Sequence, residues 1–138
     1  MRFPDFELKD DTGQVLPSSL LTNMHFIAVF APDLSDDTMN IADQFDVYYQ
    51  KLIIRNIITM VITPCPQEEI RKKVLEHGIR VKMMSDPGNE LLKRCGASGR
   101  TTFFVGKELE ILAQWDDVQV EGHADKVYER LKGFFKPA

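Results

Sequence analysis

The chain has 138 residues, of which 43% are hydrophobic and 28% charged, and its formal net charge at pH 7 is −4. This length fits one domain over residues 1–138 with one continuous core. No apolar run approaches the roughly 20 residues of a membrane-spanning helix. The densest basic cluster, Arg71-Lys72-Lys73, adjoins Glu68 and Glu69, as on a solvated helix face. Neither nucleic acid nor an anionic membrane is therefore a predicted partner.

Two cysteines and three histidines are the residues with the greatest potential for redox or metal chemistry. Cys65 and Cys95 are too few for a disulfide framework or a zinc ribbon, and they suit a reducing compartment. Together with the lack of an apolar signal region at the start, this favours a cytoplasmic location. His25, His77 and His123 have no ligand partner three or four positions away, so we expect capping or surface residues. No metal and no other cofactor is predicted.

The first part of the chain predicts a hairpin followed by two buried strands. Residues 3–8 alternate apolar and polar side chains, a turn follows at 10–13, and the apolar pattern resumes at 15–16. This arrangement is typical of a short β-hairpin. The apolar runs at 25–31 and 57–63 are typical of strands that are buried on both faces of an α/β sheet.

Two helices are predicted around the second of these strands. The first has Ser35 or Asp36 as its N-cap, and its apolar positions recur with a period of 3.6 as far as Leu52. The second has Pro66 at its first position, which suits the fixed proline φ, and it ends at Gly78.

The rest of the chain predicts a weaker strand at 79–84, a short helix at 89–95, and a hairpin of strands at 102–105 and 110–115. A closing amphipathic helix follows, with Val127, Leu131 and Phe134 or Phe135 on its inner face. The alternation of buried strands with helices and the short connections favour a mixed sheet flanked by helices, with an N-terminal hairpin.

Several short motifs occur in the order in which the peroxiredoxin family has them. They are Phe3-Pro4-Asp5-Phe6-Glu7-Leu8 with Asp11-Thr12-Gly13, then Val29-Phe30-Ala31-Pro32, Ser85-Asp86-Pro87, Cys95-Gly96-Ala97 and Arg100-Thr101-Thr102-Phe103. The chain resembles the alkyl hydroperoxide reductase and thiol-specific antioxidant group that includes bacterioferritin comigratory protein. The resemblance implies a thioredoxin-like fold of the peroxiredoxin type and an antioxidant oxidoreductase ancestry. A plain thioredoxin resembles the chain less, because the Cys-x-x-Cys pair is missing and Thr101 stands where a cis-proline is expected.

The resemblance also identifies the positions of the active-site pocket. Peroxiredoxins have a Pro-x-x-x-Thr-x-x-Cys motif and a distant arginine that together stabilise a reactive thiolate. Carried onto this sequence, Pro32 and Arg100 are retained, Asp36 takes the threonine position and Met39 takes the peroxidatic cysteine position. Methionine forms no thiolate, and the Asp36 carboxylate disfavours one nearby. The resemblance therefore implies a degenerate active site.

Two functions follow from this comparison, and the sequence favours the first. One is a peroxiredoxin-related protein that has lost the usual thiol peroxidase activity and acts as a non-catalytic binding module. The alternative is a divergent thiol-dependent peroxidase that works through Cys65 with Arg100 and takes its electrons from a thiol reductant such as thioredoxin. Cys65 follows the second buried strand, so we expect it at the same sheet edge as Met39.

Four further expectations concern the oligomeric state and residues near the pocket. The family resemblance implies pairing through sheet edges or the active-site rim, so a homodimer is an expected state. A salt bridge between Arg100 and Asp36 is a hypothesis for what replaces the lost arginine–thiolate pair. The resemblance aligns Cys95 with an aromatic packing position of the family, and Cys95 is expected at a helix end, where the helix dipole disfavours a thiolate. The acidic residues after Pro32 are expected to cap the helix rather than to hold a metal.

Overall fold

The computed structural model describes residues 1–135. Its strands are β1 (Glu7–Asp10), β2 (Val15–Pro17), β3 (His25–Phe30), β4 (Ile57–Thr63), β5 (Lys82–Ser85), β6 (Thr101–Val105) and β7 (Ile111–Trp115). Its helices are α1 (Asp36–Val47), α2 (Tyr49–Ile53), α3 (Gln67–His77), α4 (Glu90–Arg94) and α5 (His123–Lys132). Within these residues, no helix is both long enough and apolar enough to cross a lipid bilayer.

The strands form one mixed sheet in the order β2-β1-β5-β4-β3-β6-β7. β3, β4 and β5 are parallel neighbours, which is possible because α1, α2 and α3 provide the crossovers between them. β6 and β7 extend the sheet on one side and β1 and β2 on the other, all in antiparallel pairing. The predicted mixed sheet with an N-terminal hairpin is therefore confirmed.

Alternate residues of the central strands face two separate halves of the core. Ile27 and Val29 of β3 pack on the side covered by α1, α3 and α5. Phe26, Ala28 and Phe30 pack on the opposite side, under α4 and the N-terminal segment. Because both faces are covered, the central strands are apolar without alternation, which is the pattern that the sequence shows.

Several element boundaries differ from the sequence prediction. The first strand is Glu7–Asp10 rather than residues 3–8, and the closing helix ends at Lys132, before Phe134 and Phe135. The single helix predicted as far as Leu52 is divided at Tyr48, whose φ and ψ of −91° and 2° interrupt the helical backbone. The apolar period continues across this break, so the pattern alone does not reveal it. The third parallel strand begins at Lys82 rather than at residue 79, although Ile79 and Val81 are buried beside it.

The ends of α3 are close to the prediction. Gly78 follows the helix with a left-handed backbone, φ 63° and ψ 31°, and its N–H donates to the Val74 carbonyl. Glycine adopts this conformation without the steric cost of a Cβ atom, which explains the stop. Pro66, predicted at the first helical position, is instead the N-cap, so the helix begins one residue later, at Gln67.

Candidate functional site

The candidate site lies at the carboxyl edge of the parallel strands. Pro32 follows β3, and Cys65 follows β4. Arg100 precedes the antiparallel strand β6, whose first residue, Thr101, pairs with Phe30 at the end of β3. The topology therefore brings Pro32, Cys65 and Arg100 to one edge of the sheet, as expected from the order of the elements.

Met39 is a buried part of the core. It lies in the first turn of α1 with 1% of its surface exposed, and it belongs to the half of the core that contains Ile27 and Val61. Its thioether is thus an apolar plug at the position that the resemblance aligns with the peroxidatic cysteine. Asp36, aligned with the threonine of the motif, is exposed at the start of the same helix.

Asp33 is the carboxylate that organises the loop between β3 and α1. Its Oδ1 accepts hydrogen bonds from the Ser35 N–H at 3.1 Å, the Ser35 hydroxyl at 2.7 Å and the Thr38 hydroxyl at 2.9 Å. Burial opposes ionisation of Asp33, but these bonds and the charge of Arg100 outweigh it, so the pKa of the carboxyl is lowered. Ser35 is the N-cap residue of α1, but its hydroxyl donates to the Asp33 carboxylate and makes no capping hydrogen bond to the helix.

Arg100 pairs with Asp33, so the hypothesis of a bridge to Asp36 is wrong. Arg100 Nη2 lies 3.7 Å from Asp33 Oδ1, and the arginine side chain is only 17% exposed. The reason is local backbone geometry: Asp33 lies in the loop beside the end of β3, whereas Asp36 is already on the solvent side of the helix start.

One nitrogen of the Arg100 guanidinium has no partner within residues 1–135. Nη1 is buried and makes no hydrogen bond to any described residue. Buried donors are normally paired, so this nitrogen retains a capacity to bind an acceptor. Together with the ion pair to Asp33, it makes Arg100 the polar centre of the site.

Cys65 is held through its backbone. Its N–H donates to the Thr63 hydroxyl at 3.2 Å, and its carbonyl accepts from the Ser85 hydroxyl at 2.7 Å. The thiol is free, half-buried and packed against the same half of the core as Met39. No hydrogen bond among the described residues connects Cys65 to Arg100.

Cys95 is a half-buried free cysteine that ends α4. Burial raises the pKa of its thiol to about 12, the charge of Asp86 adds to this, and Arg94 opposes it. The thiol is therefore protonated at neutral pH. The sequence predicted the same direction, a disfavoured thiolate, from the helix dipole; in the structure the first cause is burial of the thiol.

His123 differs from the sequence prediction, which expected a capping or surface residue. It is the first residue of α5, it is 3% exposed, and its Nε2 lies 2.8 Å from the Thr102 hydroxyl. Phe45 and Trp115 contact its ring edge to face. Burial, assisted by the charge of Lys126, lowers the pKa of His123 to about 4, so the imidazole is neutral at pH 7.

Sequence reasoning missed Asp33, Thr38 and His123 as members of polar networks. The acidic cluster after Pro32 pointed to Asp33 only as one of several capping residues. Nothing in the local sequence distinguishes His123 from an exposed histidine. Within residues 1–135, no three His, Cys, Asp or Glu side chains are arranged to hold a metal ion.

The chain is similar to peroxiredoxins in both sequence and structure. It is 22% identical over 143 residues to peroxiredoxin Bcp of Bacillus subtilis, covering 94% of this chain and 91% of that protein. A cysteine-to-serine mutant of PrxQ from Xylella fastidiosa superposes with a TM-score of 0.88 at 20% identity, covering 94% of this chain and 89% of the other. Peroxidoxin BcpB of Mycobacterium tuberculosis superposes with a TM-score of 0.89 at 20% identity, covering 99% and 97%.

No protein-family profile matches the chain. The similarities confirm the resemblance that the motifs indicated, and they confirm a thioredoxin-like fold of the peroxiredoxin type.

Proposed function

We propose that this protein is a peroxiredoxin relative without thiol peroxidase activity, which uses the fold as a non-catalytic binding module. The observation that supports this proposal is Met39, which is 1% exposed and packed in the core where the family motif has its nucleophile. Peroxide reduction by this family begins with a thiolate that attacks an oxygen of the peroxide. A buried thioether has no proton to lose and cannot begin that reaction.

The charges around the pocket support the same proposal. A peroxidatic thiolate needs a net positive surrounding, yet here the Arg100 guanidinium already neutralises the Asp33 carboxylate at 3.7 Å. Asp36 adds a second negative charge at the start of α1. A thiolate placed near these carboxylates would be less stable than one beside an unpaired arginine.

The alternative is a divergent thiol-dependent peroxidase in which Cys65 is the nucleophile. Its support is the place of Cys65 after β4, at the same sheet edge as Arg100, with a free and half-buried thiol. In that case a small dithiol or a protein reductant such as thioredoxin would regenerate the thiol. A dimer through the sheet edge or the site rim is compatible with either function.

A peroxide-consumption assay separates the two functions. Hydrogen peroxide and an alkyl hydroperoxide are each incubated with dithiothreitol, or with thioredoxin and its reductase, and with wild type, Cys65→Ser or Cys95→Ser. The proposal expects no consumption above the protein-free rate in any of the three. Consumption that Cys65→Ser abolishes and Cys95→Ser retains would establish the alternative and contradict the loss of activity.

A further inference from the structure

A hollow lies at the amino-terminal ends of the central strands, at the end of the sheet opposite to the candidate site. We call it the basal hollow; it has a volume of about 310 Å³, and its lining includes His25, Ile54, Arg55, Ile57, Phe104 and Phe134. His25 and Ile57 are the paired first residues of β3 and β4. Because β3 rises about 3.3 Å per residue, the length of the strand, roughly 20 Å, separates the hollow from Pro32. The hollow and the candidate site therefore share no side chains.

The walls of the basal hollow combine aromatic and aliphatic side chains with polar groups, among them His25 and Arg55. The Phe104 ring stacks on His25 with centroids 5.6 Å apart, and Phe134 contacts Phe104 edge to face at 5.3 Å. Ile54 is 78% exposed and Phe134 is 41% exposed. Large apolar side chains left in water beside a concave surface are typical of a place that binds an apolar group.

A cation lies at the margin of the same hollow. The guanidinium carbon of Arg55 is 4.0 Å from the centre of the Phe135 ring, so its position is set by stacking on an aromatic face. In residues 1–135, the Arg55 side chain makes no ion pair and no hydrogen bond, whereas Arg71 and Arg80 each pair with a carboxylate. Its donors are thus available to an acceptor from outside the described chain.

Attraction of an anion to the basal hollow depends on the cationic side chains near it. The whole chain has a formal net charge of −4, so its general field repels anions. Lys107 is close enough to His25 for its positive charge to act on the imidazole, which adds a second cation near the hollow. An anion bound here is attracted by the Arg55 guanidinium, which lines the hollow, and not by the protein as a whole.

We propose that the basal hollow binds a small anionic amphiphile, namely an aliphatic or aromatic carboxylate. Its carboxylate accepts hydrogen bonds from the Arg55 guanidinium, and its apolar part packs against Ile54, Phe104 and Phe134. The volume suits a ligand at the small end of those that protein pockets bind, of about 300–1,000 Å³. This activity is distinct from the proposed loss of peroxidase function and does not depend on it.

Octanoate is a suitable probe, and 1-octanol is its uncharged counterpart. Titration of the full chain, followed by ¹H–¹⁵N NMR, is expected to give saturable shifts confined to residues around His25, Arg55 and Phe134, with a Kd of about 1 mM for a ligand of this size. Arg55→Gln is expected to weaken octanoate about tenfold, because a charge-assisted bond is lost. Binding of 1-octanol is expected to be weaker than that of octanoate and insensitive to Arg55→Gln.

Lys51→Gln is the matched control, because it removes the same charge one helical turn before Arg55 and is not part of the lining. It is expected to leave the octanoate Kd within twofold. Equal weakening by Lys51→Gln and Arg55→Gln, shifts spread over the surface, or no saturation would overturn the proposal. A dimer that Ile54→Glu dissociates and that octanoate does not disturb would also overturn it, since the hollow would then be an interface between copies of the chain.

Discussion

At the level of single residues, Asp33 has the most distinctive role at the candidate site. One carboxylate accepts hydrogen bonds from Ser35 and Thr38 and faces the guanidinium of Arg100. Loss of this carboxylate removes the acceptor of three donors at once and deprives the mostly buried Arg100 of the counter-charge seen here. Asp33 and Arg100 are therefore expected to depend on each other energetically.

A double-mutant cycle tests this dependence. Arg100→Ala is expected to lower the melting temperature, and a cycle with Asp33→Ala is expected to show a coupling free energy of about 1 kcal/mol. Because Asp33 is half exposed, water screens the pair and a larger value is not expected. A cycle of Arg100→Ala with Asp36→Ala is the control. An unchanged melting temperature, or equal coupling to Asp36, would contradict the pairing seen in the structure.

The lowered pKa of His123 is expected to make the free energy of unfolding depend on pH. Its pKa is lowered from an ordinary value of 6.5 to about 4, so the unfolded chain takes up the proton first as the pH falls. The free energy of unfolding is therefore expected to decrease between pH 6.5 and pH 4, by about 3 kcal/mol for this group. The contribution is fully present above pH 6.5.

Urea denaturation at a series of pH values measures this effect, with His123→Gln as the variant and His77→Gln as the control. His123→Gln is expected to be less stable at pH 7 but to lose less stability on acidification. His77→Gln, at the partly exposed bond to Asp43, should keep the wild-type decrease. Asp10 and Asp33, whose pKa values are lowered, add their own loss at lower pH, below about 4. Parallel curves for wild type and His123→Gln would rule out the assignment.

At the level of elements, Tyr48, the residue at the break between α1 and α2, contacts α5. The Tyr48 hydroxyl donates to the Asp125 carboxylate, and the Tyr48 ring stacks on Tyr128 with centroids 4.4 Å apart. The hydrogen bond is the largest cause that raises the pKa of Tyr48 to about 12. A residue at the end of one helix thus takes part in packing the last helix onto the sheet.

Removal of the Tyr48 hydroxyl tests this contact between elements. Tyr48→Phe keeps the stacked ring and is expected to reduce the free energy of unfolding by roughly 0.5–1 kcal/mol, because the hydrogen bond is close to solvent. Tyr49→Phe is a matched control, since that ring lies against the Arg80 guanidinium at 4.8 Å and its hydroxyl makes no hydrogen bond to any of residues 1–135. Equal effects of the two substitutions in urea denaturation would show that the bond to Asp125 contributes nothing.

At the level of the whole molecule, one continuous sheet joins the N-terminal hairpin to the last strands. Both halves of the core are built on the same central strands, β3 and β4. Loss of either half would expose the face of those strands that it covers. We therefore expect the chain to unfold as one cooperative unit, in agreement with the sequence prediction of one domain.

Two probes measured together check this expectation. Trp115 is on β7, in contact with the half of the core under α1, α3 and α5, while far-UV circular dichroism reports on all elements. The two melting curves are expected to coincide, with an unfolding enthalpy of about 100 kcal/mol near 60 °C for a chain of this length. Two separated transitions would contradict the single cooperative unit.

The sequence by itself determined both hairpins, the absence of a thiol at Met39, and the order of the strands and helices except for the break between α1 and α2. These features depend on the spacing of apolar residues, on turn residues such as Gly78 and on residue identity, all of which are local. Only the tertiary structure decided that Arg100 pairs with Asp33, that His123 is buried and hydrogen-bonded to Thr102, and that Arg55 borders a hollow with aromatic side chains. In each of these cases the partners come from different elements, and their distances depend on how the loops and helices pack on the sheet. A chain pattern specifies which face of an element is apolar, but not which polar groups of two elements meet.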